Sequence, residues 1–210
     1  MKAISLVLCA LLLAACSTGG RNGSAASAIY DFGMPPARIA GDGQWSRLAI
    51  DVKAPHWLDS PAIDYRLNYE DPLKLHEYSG SRWAGAPAQL IGQRLRQQLG
   101  VNGALGNTAV DCLLRFELQE FSQVFDSAQG SRGVLHGSLG LFDARRQQLA
   151  GRRVAVERPA PTPDARGGVG ALVAASDELG NQIAAWLAEL EQGGRLQACR
   201  VIVRQEREKK

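Results

Sequence analysis

The sequence predicts an α+β fold: a largely antiparallel sheet with two main helices packed on one face. Several segments alternate apolar and polar residues, which is the period of a half-buried strand. Two longer segments instead carry apolar residues three and four positions apart, as an amphipathic helix does. These strand-like segments come in runs separated by the two helices, an order typical of α+β domains.

Four strands are predicted before the first helix, over residues 29–32, 47–54, 63–70 and 73–78. In the second of them, every other residue is apolar, as expected where one face of a strand is buried. The last two flank the turn signal Asp71-Pro72 and are predicted to form an antiparallel hairpin. The stretch between Pro55 and Pro61 is expected to be a loop.

The first helix is predicted to begin at Pro87, because the first turn of a helix does not need the N–H that proline lacks. One apolar stripe follows, made of Leu90, Ile91, Leu95 and Leu99. Gly100 is expected to end the helix, since glycine adopts the left-handed conformation that closes many helices.

A long strand follows, in which the pattern of apolar residues changes parity. Cys112, Leu114, Phe116 and Leu118 occupy even positions, whereas Phe121 and Phe125 occupy odd ones. A bulge near Glu120 would explain this change, because one extra residue moves every later side chain to the opposite face. Strands over 133–143 and 149–158 come next, joined by a polar turn at residues 145–148.

The second helix is predicted over residues 168–191, with Gly193-Gly194 closing it. The glycine run 167–170 is interpreted as the flexible exit of the preceding loop. A last strand is expected over 198–203, where Cys199 could reach the strand that carries Cys112.

The first residues of the chain predict an exported lipoprotein. An apolar run ending at Ala15 is shorter than the roughly 20 residues of a membrane span, and Lys2 precedes it, as in a secretory signal. Leu13-Ala14-Ala15-Cys16 resembles the lipobox of bacterial lipoproteins, which implies cleavage after residue 15 and lipid on Cys16. Ser17, rather than the Asp common in inner-membrane lipoproteins, favours the periplasmic face of the outer membrane of a Gram-negative bacterium.

The remaining chain is expected to hold one domain. Residues 16–28 are rich in Gly, Ser and Ala and form a flexible tether, residues 29–203 the periplasmic domain, and residues 204–210 a charged tail. The formal net charge is +3 with both signs mixed along the chain, which gives no indication of nucleic-acid binding. In an oxidising compartment, Cys112 and Cys199 either form one disulfide or remain separate buried thiols.

No catalytic, metal or cofactor site is predicted. The three histidines, His56, His76 and His136, are far apart and lack the spacing of metal ligands. The stretch from His136 to Gly140 lacks the residue that a nucleophile elbow places between its first glycine and the serine. Trp57 and Trp83 are predicted in loops, either as anchors for a binding partner or as caps on the ends of the core.

Four segments in order resemble the ABC-type transport auxiliary lipoprotein family. They are LAIDVKAPHWLDSPAIDYRL (48–67), SRWAGAPAQLIGQRLRQQL (81–99), LLRFELQEF (113–121) and VGALVAASDELGNQIAAWL (169–187). Two positions depart from the family pattern: Ser60, where Arg is frequent, and the pair Asp64-Tyr65, where aliphatic residues are commoner.

The resemblance implies a non-enzymatic accessory of an ABC permease or of an MCE-domain protein, which moves lipids or other hydrophobic compounds between membranes. Its contact with the membrane would be the lipid on Cys16, and both a monomer and a homo-oligomer are compatible with the sequence. The alternative is an outer-membrane assembly lipoprotein resembling the plug subunit of the lipopolysaccharide translocon.

Overall fold

The computed structural model describes residues 27–34, 37–39, 41, 44–45, 47–101 and 111–199. Its strands are β1 (Ala28–Tyr30), β2 (Leu48–Lys53), β3 (Ala62–Leu67), β4 (Asp71–Trp83), β5 (Cys112–Ser127), β6 (Gly130–Asp143) and β7 (Gln148–Pro159). Its α-helices are α1 (Pro87–Gln98) and α2 (Ala165–Gln192), with 3-10 turns at His56–Leu58 and Gln197–Cys199. The predicted signal peptide (1–15), Cys16 and the charged tail (204–210) lie outside the described residues.

The strands form one sheet in the order β1-β4-β3-β5-β6-β7, and β2 also pairs with β5. The β3–β4, β5–β6 and β6–β7 pairs are antiparallel. Three shorter or interrupted pairs, β1–β4, β2–β5 and β3–β5, are parallel. Helix α1 contacts β2, and helix α2 contacts α1 and strands β5 to β7. The predicted α+β fold with a largely antiparallel sheet is confirmed.

Strand β5 is the centre of the sheet and contains the predicted bulge. Its register with β6 shifts between Leu118 and Glu120. Buried apolar side chains fall on even positions before the shift; after it, Phe121 and Phe125 on odd positions are buried, together with Val124 on an even one. The same shift separates two partners of β5, because β2 pairs with residues 112–117 and β3 with residues 123–125.

The predicted hairpin is also present, but its second strand is longer than expected. Strand β4 begins at Asp71 and continues to Trp83, whereas the sequence suggested an end near Tyr78. Its last three residues pair with β1 on the outer edge of the sheet. That additional partner explains why Ser79-Gly80-Ser81, a sequence typical of turns, remains extended.

Helix α1 begins at Pro87, as predicted, and Gly100 follows it with a φ of +62°. Of the predicted stripe, Ile91, Leu95 and Leu99 are fully buried, while Leu90 is partly buried against the core. The helix therefore contributes one apolar face to the core between the sheet and the helices.

Helix α2 begins earlier than predicted, which corrects the interpretation of the glycine run 167–170. The helix starts at Ala165, and the Asp164 carboxylate caps it by accepting a hydrogen bond from the Gly167 N–H at 2.8 Å. A Cβ on Gly168 would overlap the side chain of Gln123, and one on Gly133 would lie 2.8 Å from the Ala171 backbone. These glycines are needed because the helix lies directly against the sheet, not because a loop must flex.

The end of the described chain differs from the predicted strand 198–203. Residues Gln197–Cys199 form a 3-10 turn, and residues 200–203 lie outside the described residues. Cys199 is disulfide-bonded to Cys112 in β5, with their Cα atoms 5.2 Å apart. The cysteines are 87 residues apart in sequence, so the bond closes a ring that contains β5, β6, β7 and α2.

Loss of the disulfide should destabilise the domain without preventing its fold. We expect Cys199→Ser to lower the free energy of unfolding by about 2–4 kcal/mol, because the open chain gains conformational entropy when it unfolds. Urea denaturation measures this loss, and Cys112→Ser and the double variant should show the same loss rather than a sum. Peptide mapping of the non-reduced protein should recover the linked pair, and a free Cys199 thiol would contradict the assignment.

Candidate interaction surface

Trp57 lies in the 3-10 turn between β2 and β3 and is exposed. Its neighbour Leu58 is 3% exposed and fixes the turn to the core, whereas Trp57 itself is 68% exposed. Exposure of a large aromatic side chain on a fixed turn is the arrangement that a partner-binding anchor requires. Trp57 is therefore a candidate for contact with a partner.

Trp83 does not fit the first of its two alternative predictions, that of an anchor for a partner. It is the last residue of β4 and has no exposed surface. Its ring packs 5.5 Å from that of Phe32 and 5.8 Å from that of Phe121. The alternative prediction, that this tryptophan fills one end of the core, describes its position.

A second exposed apolar surface lies on the hairpin arm, defined here as residues 65–78 of β3, β4 and the turn between them. Tyr69, Leu73 and Leu75 are 46%, 89% and 36% exposed. Single exposed apolar residues are ordinary on protein surfaces. Three of them within one hairpin make a candidate contact surface. In the described part of the chain, the other large apolar side chains that are exposed are Ile29, Met34 and Ile39.

An aromatic cluster stiffens the arm. Tyr65 stacks on His76 at 4.9 Å, because these residues are cross-strand partners, and its ring is 4.6 Å from that of Tyr78. The Tyr78 hydroxyl donates a hydrogen bond to Gln123 Oε1 at 2.8 Å. Burial raises the pKa of Tyr78 to about 12, so its hydroxyl stays protonated and remains a donor.

Next to the arm lies a cluster of three carboxylates, Asp64, Glu77 and Glu120, that was not predicted from the sequence. Asp64 is 6% exposed and faces Glu77 across the hairpin. Burial raises the pKa of Asp64 to about 7, and the negative charges of Glu77 and Glu120 add to the increase. Arg66 binds Glu120 at 3.1 Å, which holds this second carboxylate beside Asp64.

The cluster can bind a proton near neutral pH, but its parts were not recognisable as a group in the sequence. Glu120 lies 56 positions after Asp64, and the parallel pairing of β3 with β5 brings the two strands together. The one signal in the sequence was the departure of Asp64 from the aliphatic residues common at that position of the family pattern.

The described residues contain no group of three or more His, Cys, Asp and Glu side chains that could hold a metal ion. His136 lies in β6 with its Nε2 atom 3.7 Å from Glu157 Oε1, and Ser138 lies inside the same strand. Ser138 is thus a strand residue, as predicted from the sequence.

None of the helices in the described part of the chain combines the length and the apolar character that crossing a membrane requires.

The sequence model of the ABC-type transport auxiliary lipoprotein component matches residues 34–184, which is well over half of the chain. This chain belongs to that family. The resemblance inferred from the four ordered segments is confirmed, and with it the coarse role of an accessory lipoprotein of an ABC-type transporter in bacteria. The family is that of an auxiliary component, not of a known enzyme.

Two solved structures are similar to this family member. A protein from Xanthomonas campestris matches with a TM-score of 0.63 and 19% identity, covering 79% of this chain and 98% of that one. An uncharacterised protein matches with a TM-score of 0.60 and 16% identity, covering 77% and 99% respectively. At these identities the likeness concerns the fold. None of the curated proteins compared with the chain matches it.

Asp64 should make the stability of the family member depend on pH. Its pKa is higher in the folded protein than the ordinary 3.8, so the stabilisation from its bound proton is complete below about pH 4 and is lost as the pH rises through about 7. We expect Asp64→Asn to raise the melting temperature by several degrees at pH 8 and much less at pH 4.5.

Thermal unfolding at the two pH values measures this difference. Glu117→Gln, which neutralises an exposed carboxylate on the adjacent strand β5, is the matched control and should shift both melting temperatures alike. Equal shifts for Asp64→Asn at pH 4.5 and pH 8 would show that Asp64 does not bind a proton in this range.

Proposed function

We propose that this protein is a non-enzymatic accessory subunit that docks onto an ABC permease or an MCE-domain protein and helps to move lipids or other hydrophobic compounds between membranes. The match of residues 34–184 to the transport auxiliary family is the observation that carries this proposal. Trp57 and the hairpin arm support it, because they offer exposed apolar side chains on a rigid sheet.

The proposal includes a lipid anchor at Cys16 on the periplasmic face of the outer membrane. From Cys16 to β1 the chain has about a dozen residues, whose r.m.s. reach is roughly 20 Å if they behave as a flexible linker. Such a tether keeps the domain close to the bilayer while it turns toward a partner. It also raises the effective concentration of the docking surface at the membrane.

The docking surface in this proposal consists of Trp57 and the exposed leucines of the hairpin arm. A large aromatic side chain that desolvates on binding often supplies a major part of the binding free energy. Trp57 is attached to the end of β2, and Leu73 lies on β4, so the sheet holds both in fixed positions. The partner needs a complementary apolar depression rather than a charged surface.

In-cell photocrosslinking tests the partner. We expect a photoreactive residue in place of Trp57 or Leu73 to capture an ABC permease or MCE-domain subunit. The control position is Gly170, which is exposed on α2 and has free space around a side chain, and it should capture no such subunit. Capture of a β-barrel assembly protein, or of no transporter subunit from any position, would contradict the proposal.

Fractionation of cell envelopes tests the anchor separately. Cys16→Ser removes the thiol that accepts the lipid, so the variant should remain uncleaved or appear as a soluble, unacylated protein. Dual or triple acylation is needed for stable anchoring, and the wild-type protein should therefore stay in the outer-membrane fraction. A Cys16→Ser variant that still fractionates with the outer membrane would refute this part of the proposal.

A further inference from the structure

Strand β7 forms one end of the sheet, and its outer edge is open among the described residues. It pairs with β6 only, in a regular register over residues 150–159. The Ala160 N–H donates a hydrogen bond to the Ser131 carbonyl at 2.9 Å, in continuation of that register. Because peptide groups alternate in direction along a strand, even-numbered residues of β7 face β6 and odd-numbered residues face the open edge.

The residues of β7 agree with this orientation. Pro159 stands at an odd position, where its missing N–H removes no hydrogen bond to β6. The Glu157 carbonyl, also at an odd position, accepts a hydrogen bond from the Arg158 side chain at 3.1 Å. Ala155, the next odd residue toward the N-terminus, is exposed. The edge over residues 151–159 therefore has peptide groups that a further strand can bind.

We propose that a second copy of this chain binds this edge, with the two β7 strands antiparallel and related by a twofold axis at Ala155. Such an axis places Arg153 of each copy opposite Glu157 of the other, because both lie two residues from Ala155. An axis at Arg153 or at Glu157 would place like charges opposite each other, which destabilises a strand pair. An axis at Val154 or Val156 would place both charges opposite uncharged residues.

The state of the two charged side chains supports this register. Arg153 is exposed and forms no ion pair with any residue that the structure describes. Glu157 Oε2 is 2.9 Å from Arg132 Nε, and the Glu157 side chain is still 48% exposed. A carboxylate accepts several hydrogen bonds, so Glu157 can bind Arg132 of its own chain and Arg153 of the second copy together.

The arrangement of helix α2 leaves room for the second copy. Helix α2 contacts β5, β6 and β7, so it lies across β6 rather than over the open edge. In the proposed dimer the two β6 strands are three strand spacings, or about 14 Å, apart. Packed helices need about 8–10 Å between their axes, so the two α2 helices fit on the same face of the joined sheet.

Two arginines meet on the helix side of the pair, and each already has a partner. The axis at Ala155 places Arg152 opposite Arg158 of the second copy. Arg152 Nη1 lies 3.6 Å from Glu189 Oε2, and Arg158 Nη2 lies 3.0 Å from Glu178 Oε2. These glutamates of α2 offset the repulsion between the arginines, so the helix side tolerates the register that the other face favours.

The dimer joins two sheets into one and closes an edge that would otherwise be a template for uncontrolled association. Trp57 and the hairpin arm lie at β2, β3 and β4, on the other side of β5 from β7. Both therefore remain exposed in the dimer, which carries them twice.

Disulfide crosslinking of the full chain in cell envelopes tests the register. In Ala155→Cys the two new thiols meet at the axis, where the Cα separation of about 5.5 Å suits a disulfide, so we expect a covalent dimer without reductant. Gly151→Cys is the control on the same edge, and its side chain displaces only the end of the Gln148 side chain. Its two copies would lie eight residues apart, or about 27 Å, and should not crosslink.

Sedimentation equilibrium of the purified full mature chain, in a density-matched detergent, measures the dimer directly. We expect Arg153→Glu, which places two pairs of like charges across the axis, to raise the dissociation constant about tenfold. Arg145→Glu makes the same charge change in the turn before β7 and should leave that constant unchanged.

Three results would overturn the proposal. The first is a wild-type protein that stays monomeric at micromolar concentrations. The second is a dimer that Arg153→Glu does not weaken. The third is an Ala155→Cys protein that dimerises in solution and forms no intermolecular disulfide, because its interface would then lie elsewhere.

Discussion

The bulge in β5 is the local constraint on which the sheet depends. A regular strand of that length would direct its later apolar residues away from the helices, and the extra residue between Leu118 and Glu120 returns Phe121 and Phe125 to the core. The bulge also marks the point at which the neighbour of β5 changes from β2 to β3. One side of β5 therefore supports two different elements: a strand beside helix α1 and the base of a projecting hairpin.

A buried arginine fixes the helices relative to that sheet. Arg94 on α1 is 3% exposed, forms an ion pair with Asp177 on α2 at 2.7 Å, and donates a hydrogen bond to the Phe32 carbonyl at 2.7 Å. Gln98, one turn later, donates to the Asp177 carbonyl at 3.3 Å. Removing Asp177 would leave the charge of Arg94 without its ion-pair partner in the interior. The contact joins α1, α2 and the segment after β1 in one arrangement.

Local patterns in the sequence were sufficient for most elements, and contacts between distant segments explain the failures. Parity located the bulge, and Pro87 and Gly100 bounded α1, because each signal acts within a few residues. The length of β4 depends on β1, which is about 50 residues earlier, so its turn-like sequence was misleading. The glycines at the start of α2 resemble a loop in the sequence, because the contact of Gln123 with Gly168 joins distant segments of the chain. The sequence left two roles open for each tryptophan, and the structure shows Trp57 exposed and Trp83 buried. The cluster around Asp64 was missed because it depends on the parallel pairing of β3 with β5, which joins residues far apart in the sequence.

The covalent ring between Cys112 and Cys199 has a consequence for biogenesis. Under the proposed export, the chain would cross a membrane from its N-terminus, and Cys199 follows Cys112 by 87 residues. The ring could then close only after β5, β6, β7 and α2 had all reached the oxidising compartment. Its closure would record that these four elements have been translocated.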